Sequence, residues 1–312
     1  MAEKTIAALQ LGADPDGTAA TLQRLLAFEH DVKAADCDLL VLPEALLGGY
    51  PKGSDFGTRV GYRLDRGREE FLQYFRQAVD LDGPEVATLC EFARSCSTAV
   101  VAGVIERAGS TLYCTALFIA QSGELAAKHR KLVPTAAERL IWGMGDGSTL
   151  PVVETGAGKV GAAICWENYM PLLRAAMYGK GLDIWCAPTV DDRDIWQTSM
   201  RHIAYEGRCF VVSACQYQPV PEPGAARDEN WPKGKPLIRG GSVIVSPMGE
   251  VLQGPLYDVE GLVTVRIDPD DVIRARYDLD AAGHYARPDV FRLTVDEQER
   301  PPCSFSKLED PD

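Results

Sequence analysis

Long apolar runs are missing from this sequence. Nowhere do about eighteen apolar residues follow one another, the least that a membrane-crossing helix needs. The opening Met1-Ala2-Glu3-Lys4 leads into Thr5-Ile6-Ala7-Ala8-Leu9 without the apolar core and small-residue cleavage site of a secretory signal. A soluble, cytoplasmic protein with no membrane partner is the expectation. Positive charge is also scarce: 32 Lys and Arg stand against 45 Asp and Glu, a net charge of -13, and the longest basic run is Lys128-His129-Arg130-Lys131. Phosphate recognition relies on clustered cations, so no nucleic-acid partner is expected. The only histidines, His30, His129, His202 and His284, lie far apart, and none has a second His or Cys at metal-ligand spacing, so no metal site is expected. Cysteine is present but never as Cys-x-x-Cys. The nine are an odd number scattered through apolar segments such as Val211-Val212-Ser213-Ala214-Cys215, and most read as plain buried thiols.

What remains is ordinary globular material: 46% hydrophobic and 25% charged residues in 312, enough to bury a sizeable core without staples. Short β-type runs alternate with helical patterns from end to end, as in an α/β protein. Strands are expected at Ile6 to Leu11, Cys37 to Leu42, Thr98 to Ile105, Leu112 to Ala120, Val160 to Cys165, Asp183 to Ala187, Phe210 to Ala214, Ser242 to Ser246 and Leu262 to Ile267. Thr18 can cap a helix whose stripe is Leu22, Leu25, Leu26 and Phe28; Gly83-Pro84 opens another, and helices fit Pro171 to Tyr178 and Trp196 to Glu206. The stretch Pro219 to Pro236, rich in Pro, Gly and charge, reads as a surface loop within a single domain, since a break there would leave strands with little helical cover.

In α/β proteins reactive groups gather beyond the carboxyl ends of strands. Glu44 follows Leu39-Leu40-Val41-Leu42-Pro43, Lys131 closes the run before Leu132-Val133-Pro134, and Cys165 closes Gly161-Ala162-Ala163-Ile164. Singly, each has a plainer reading: a solvated loop carboxylate, a surface cation, a packed thiol. Together they supply a thiol to attack, a carboxylate to take its proton, and a cation to stabilise what forms. His129 and His202 are the alternative bases of a Cys-His pair, but neither lies in a papain-like or caspase-like context.

The local sequences around these residues resemble the nitrilase branch of the carbon-nitrogen hydrolase superfamily over nearly the whole chain. Pro43-Glu44-Ala45 with Gly48-Gly49-Tyr50-Pro51 looks like its catalytic-Glu motif, His129-Arg130-Lys131-Leu132 with Pro134-Thr135 like its Lys motif, and Cys165-Trp166-Glu167-Asn168 like its nucleophile motif. Glu138-Arg139, Trp142-Gly143, Ala187-Pro188-Thr189, Gly240-Gly241-Ser242 and Gly283-His284-Tyr285 extend the similarity. Trp after the nucleophile is similar to the nitrile-cleaving branch. The resemblance implies a four-layer αββα sandwich over residues 1–295 with a short C-terminal tail, 296–312. It also implies a homodimer or larger homo-oligomer, no cofactor, a triad of Glu44, Lys131 and Cys165, and a second active-site carboxylate at Glu138. The implied reaction takes a small nitrile and water to acid and ammonia. Tyr50, Trp166, Thr189 and Val190 are the expected substrate contacts; Val190 departs from the Trp that some relatives carry there. The alternatives are an amidase with the same triad and, in another class, a noncatalytic binding protein on the same fold.

Overall fold

The computed structural model describes residues 2–221, 231–301 and 303. In chain order its elements are β1 (Lys4–Gln10), α1 (Thr18–Leu26), α2 (Glu29–Ala34), β2 (Leu39–Val41), the short strands β3 (Thr58–Arg59) and β4 (Tyr62–Arg63), α3 (Asp65–Gln77), α4 (Pro84–Cys96), β5 (Ala99–Ala108), β6 (Thr111–Ile119) and β7 (Leu125–Arg130). There follow β8 (Val152–Thr155), β9 (Gly158–Ala162), α5 (Pro171–Gly179), β10 (Ile184–Cys186), α6 (Asp194–Gly207), β11 (Phe210–Ser213), β12 (Tyr217–Gln218), β13 (Ile238–Val245), β14 (Val251–Tyr257), β15 (Gly261–Ile267) and α7 (Asp270–Ala275).

These strands form two large sheets. One runs β15-β1-β2-β5-β6-β7; the other runs β12-β13-β11-β10-β9-β8, with β14 on the outer flank of β13. Each has a parallel trio at its centre, β1-β2-β5 and β9-β10-β11, with antiparallel strands outside it. Side chains alternate across a strand, so central strands with two apolar faces feed two cores. In β1, Ile6 and Ala8 join Leu39, Val41, Ile164, Ile184 and Val212 between the sheets, while Ala7 and Leu9 meet Leu22, Leu25, Leu89 and Phe92 of α1 and α4. In the second sheet Ile184 and Cys186 point inward, and Trp185 points outward to Leu173, Met177, Trp196 and Met200 of α5 and α6. Helices over sheet, sheet over helices: the chain is the expected αββα sandwich.

Several elements depart from the expectation. Cys37 and Leu42 fall outside β2, although Leu42 N still donates to Val101 O at 2.8 Å. The strand expected through Cys165 stops at Ala162, because Cys165 turns into a tight helical turn with φ +50°. Helix α3 is not among the expected helices: charge dominates its first half, and it packs through the short stripe Phe71, Tyr74 and Phe75. Strand β14, which is not among the expected strands, contains Gly254-Pro255; it lies at a sheet edge, where proline's missing N–H is tolerated. In α5, Leu173 and Met177 cover their own sheet while Leu172 stays exposed. Residues 222–230 of the expected surface loop lie outside the described residues, as do 302 and 304–312 of the expected tail. Just past Val295, which packs under α5 and α6, Arg300 N donates to Asp146 Oδ2 at 2.8 Å.

One glycine sets where Glu44 stands. At Gly103 in β5 a Cβ would lie 2.1 Å from Pro43 O and 2.7 Å from Glu44 Cα, and Gly103 O accepts Leu46 N at 2.8 Å. The turn after β2 therefore lies flat on β5. Gly103→Ala should cost about 1–3 kcal/mol through overpacking; urea melts should show the lower midpoint, and an unchanged midpoint would contradict the close approach.

Candidate active site

Glu44, Lys131 and Cys165 meet between the sheets. The first sheet supplies Glu44 from the turn after β2 and Lys131 from the residue after β7; the second supplies Cys165 from the turn beyond β9. All three are buried. Lys131 Nζ donates to Glu44 Oε1 at 2.7 Å and to Glu138 Oε2 at 2.8 Å, and lies 5.5 Å from the Trp142 ring centroid. Glu138 is itself fixed: Thr135 N donates to Oε2 at 2.6 Å and the Tyr50 hydroxyl to Oε1 at 2.9 Å. Two carboxylates around one cation leave an excess negative charge in a dry site. Burial, and after it the charge of Glu138, pushes the Glu44 carboxyl above the usual range despite the opposing pull of Lys131. For Lys131, burial works against the ammonium, but Glu44 and its neighbours outweigh it and hold the pKa well above normal.

Cys165 sits at a bend. Its N donates to Pro188 O at 2.9 Å, and Asn168 Nδ2 donates to Ala163 O and Cys165 O, each at 2.8 Å, with Asn168 Oδ1 held by Trp185 Nε1 at 2.7 Å. The left-handed φ at Cys165 is thus imposed by its surroundings, as strained residues at reactive positions are. Thr189 Oγ1 donates to Sγ at 3.3 Å. Burial, then the charge of Glu44, pushes the Cys165 thiol up, so the resting sulfur carries its proton. Glu44 Oε2 is buried with no hydrogen-bond partner among the described residues, and contact of the Cys165 thiol with the carboxyl favours its ionised form, against the effect of burial. A protonated thiol next to an open carboxylate oxygen of raised basicity can transfer a proton at the moment of attack.

A cleft of about 160 Å³ opens on this thiol, lined by Tyr50, Lys52, Thr135, Glu138, Cys165, Trp166, Val190, Asp191, Asp192 and Arg193. It takes in Tyr50, Trp166 and Val190 of the expected substrate contacts; Thr189 stands behind Cys165. Trp166 Nε1 donates to Asp191 Oδ2 at 2.9 Å, and the Arg193 guanidinium lies over its ring at 4.9 Å. A larger hollow of about 460 Å³ beside Ala13, Gly49, Gln77 and Pro219 shares only Tyr50 with this cleft and holds no thiol, so the chemistry points to the smaller one. Among the described residues no three His, Cys, Asp or Glu side chains gather as metal ligands.

The histidines take no part in a Cys-His pair. His202 is exposed on α6, 3.6 Å from Glu206. His129 is buried, with Nδ1 2.6 Å from Thr149 O and Nε2 2.8 Å from Glu167 Oε2. Both partners are acceptors, so both ring nitrogens donate and the imidazole is cationic. Burial opposes that charge, but Glu167 outweighs it and raises the His129 pKa; reciprocally, burial raises Glu167, but His129 and two backbone donors bring it below the usual range. Those donors, Leu132 N at 2.7 Å and Ile164 N at 2.8 Å, adjoin Lys131 and Cys165. Glu167 therefore ties the segment that carries Lys131 to the one that carries Cys165 across the sandwich. Gln216, beyond β11, does the same for Glu44, donating to Glu44 O at 2.7 Å and Ala45 O at 3.1 Å. Sequence reasoning missed both roles. A carboxylate three residues past an apolar strand hints at Glu167; Gln216 has no local signal.

The sequence profile of the carbon-nitrogen hydrolase family matches residues 5–277. The chain is 50% identical over 297 residues to an aliphatic nitrilase of Sinorhizobium fredii, covering 94% of this chain and 96% of the relative. It is 50% identical over 295 residues to a bifunctional nitrilase/nitrile hydratase of Nicotiana tabacum, covering 93% and 85%. Among solved structures, a carbon-nitrogen hydrolase from Helicobacter pylori superposes with TM-score 0.72 at 20% identity, covering 93% of this chain and 97% of that one. A nitrilase-superfamily member from Saccharomyces cerevisiae gives 0.70 at 22%, covering 91% and 96%. These likenesses extend the αββα fold to this chain.

Because His129 titrates higher in the fold, its contribution to stability is whole below the ordinary histidine pKa and fades as pH climbs through the raised value. Glu167 titrates lower, so its contribution is whole above the ordinary carboxylate pKa and fades as pH falls through the lowered value. His129→Gln should cost about 3 kcal/mol, most clearly between about pH 4.5 and 6.5, with the gap narrowing above the raised histidine value. Urea melts across pH check this; a gap independent of pH would show that no charge is involved.

Proposed function

The chain belongs to the carbon-nitrogen hydrolase family, within its nitrilase branch, and from that premise we propose that it hydrolyses a small organic nitrile with Cys165 as nucleophile, Glu44 as proton carrier and Lys131 as fixed cation. Half-identical relatives along nearly the full chain support the reaction. The observation that carries the residue roles is the contact of the Cys165 thiol with the Glu44 carboxyl, whose Oε1 is taken by Lys131 and whose Oε2 has no hydrogen-bond partner among the described residues.

A nitrile carbon is a weak electrophile and calls for a polarizable nucleophile together with a proton for its nitrogen. As Sγ bonds to the nitrile carbon, its proton passes to Glu44 Oε2 and on to the nitrogen, giving a thioimidate. Moving that proton onto Glu44 leaves Lys131 with one charged carboxylate, Glu138, so the thiolate forms beside a neutral carboxyl rather than an anion. Lys131 and the backbone N–H of Trp166 stabilise the negative charge that develops. Water adds to the thioimidate carbon and gives a proton to Glu44, which passes it to the nitrogen; the hydroxyl proton follows by the same route, the nitrogen leaves as ammonia and the thioester remains. A second water, deprotonated by Glu44, releases the acid and returns the proton to Sγ. Tyr50 and Glu138 orient Lys131, Trp166 and Val190 bound the substrate, and Thr189 holds Sγ from behind. The 160 Å³ cleft suits a small substrate.

We also propose a homodimer or larger homo-oligomer, because Leu172, Ile195 and Tyr205 on α5 and α6 stay 70%, 56% and 48% exposed on one outer helical layer.

Brief exposure to a nitrile followed by intact-mass analysis should show an adduct on the native chain and none on Cys165→Ala; normal turnover by that variant overturns the assignment. Lys131→Ala should fold and lose about 10²–10³-fold in kcat, as expected for loss of a charge-stabilising donor. Light scattering at micromolar concentration should give at least a dimer; a monomer at moderate salt defeats the oligomer.

A further inference from the structure

A second thiol touches the proposed proton carrier. Cys114 lies on β6, facing the inter-sheet core with Ala116 and Phe118, and is 1% exposed. Its Sγ is 3.6 Å from Glu44 Oε1, the oxygen that also accepts Lys131 Nζ, and its carbonyl accepts Lys131 N at 2.8 Å. One residue thus contacts two members of the triad while bearing no part in the reaction described above.

Burial, and then the charge of Glu44, keeps this sulfur protonated, so it is a donor and not a competing nucleophile. Two donors converge on Oε1, whereas Oε2 has no hydrogen-bond partner among the described residues. The terminal torsion of a glutamate is broad and roughly two-fold, so Lys131 alone does not dictate how the carboxyl plane is turned. A second donor on the same oxygen, coming from another strand, does. We propose that Cys114 is a positioning residue that keeps Glu44 Oε2 turned toward Cys165 and the substrate nitrogen, and so biases the products toward acid rather than amide.

The bias follows from how the tetrahedral intermediate collapses. Its carbon carries OH, nitrogen and sulfur. If Glu44 delivers its proton to the nitrogen, the C–N bond breaks, ammonia leaves and the thioester goes on to acid. If it does not, the C–S bond breaks, the leaving sulfur takes up the proton that the hydroxyl sheds as it becomes a carbonyl, and the amide departs. Without the S–H donor, the ionised form of Glu44 loses a hydrogen bond, so the carboxyl holds its proton more tightly and its plane is freer. Both effects favour C–S cleavage. A hydrogen bond from sulfur is weak, so the expected effect is graded.

The proposal rests on the nitrilase reading, and the test separates the two. Cys114→Ala removes donor and volume; Cys114→Val fills the volume and suits a strand, without a donor. Three quantities are followed on the full chain: the acid-to-amide ratio by mass detection, the pH dependence of kcat/KM on a nitrile, and the pH dependence of Cys165 alkylation by iodoacetamide, resolved by peptide mass. Both variants should fold, lose about three- to ten-fold in kcat with KM little changed, and raise the amide share at least about two-fold. The acid limb should move up by about half a pH unit, because Glu44 must ionise to take the thiol proton and does so less readily without its donor. Cys114→Val matching the wild type would mean that the thiol only packs, and an unmoved limb in both variants would equally overturn the proposal. If the wild type releases no ammonia from any nitrile, the nitrilase reading fails instead, and the alkylation limb still decides the role of Cys114.

Discussion

Lys131 carries its ammonium between two sheets with no side-chain exposure, and Glu44 and Glu138 hold it there at 2.7 and 2.8 Å. A charge in that position is tolerated only with close counter-charges, and stripping one away typically costs about 3–5 kcal/mol. The requirement propagates outward. Glu138 needs the Thr135 N–H and the Tyr50 hydroxyl; Tyr50 needs its loop; Glu44 needs the turn that Gly103 admits. One more carboxylate than cation is present, and burial, with that surplus behind it, lifts the Glu44 carboxyl above the usual range despite Lys131.

The two sheets could slide past each other if only apolar contacts joined them, since burial is non-directional. Directional bonds prevent it near the triad. Glu167 accepts from Leu132 N on one side and Ile164 N on the other, with the His129 cation compensating its charge. Gln216 reaches from the second sheet to the carbonyls of Glu44 and Ala45. Buried and fully partnered networks of this kind specify one arrangement more than they add net stability. Here the arrangement specified is the placement of the Cys165 thiol against the Glu44 carboxyl.

Much of the fold was legible because the strands that fill the centres of both sheets are short apolar runs, and burial on two faces leaves that mark. The strands and helices that escaped notice share a different property: they depend on neighbours. Helix α3 covers a small apolar patch with three aromatics amid charge, and β14 keeps a proline because its free edge asks for no N–H. The expectation of a strand through Cys165 failed for a related reason. Apolar character continues to Ile164, but the bonds of Asn168 and Glu167 bend the backbone before the thiol.

Within the site, the residue types declared themselves and their relations did not. Glu44, Lys131 and Cys165 stand after apolar strands, and strand ends are where a parallel sheet presents reactive groups; local sequence therefore determined which side chains come to the site and that a thiol is among them. Tertiary structure decided the rest. Which oxygen of Glu44 is free, that both His129 ring nitrogens are taken by Thr149 and Glu167, and that Cys114 lies on the carboxylate all depend on residues 20 to 172 positions apart brought within a few ångströms. Periodicity records only which face of an element is buried; contacts across that distance are set by how two independently formed sheets close on one another.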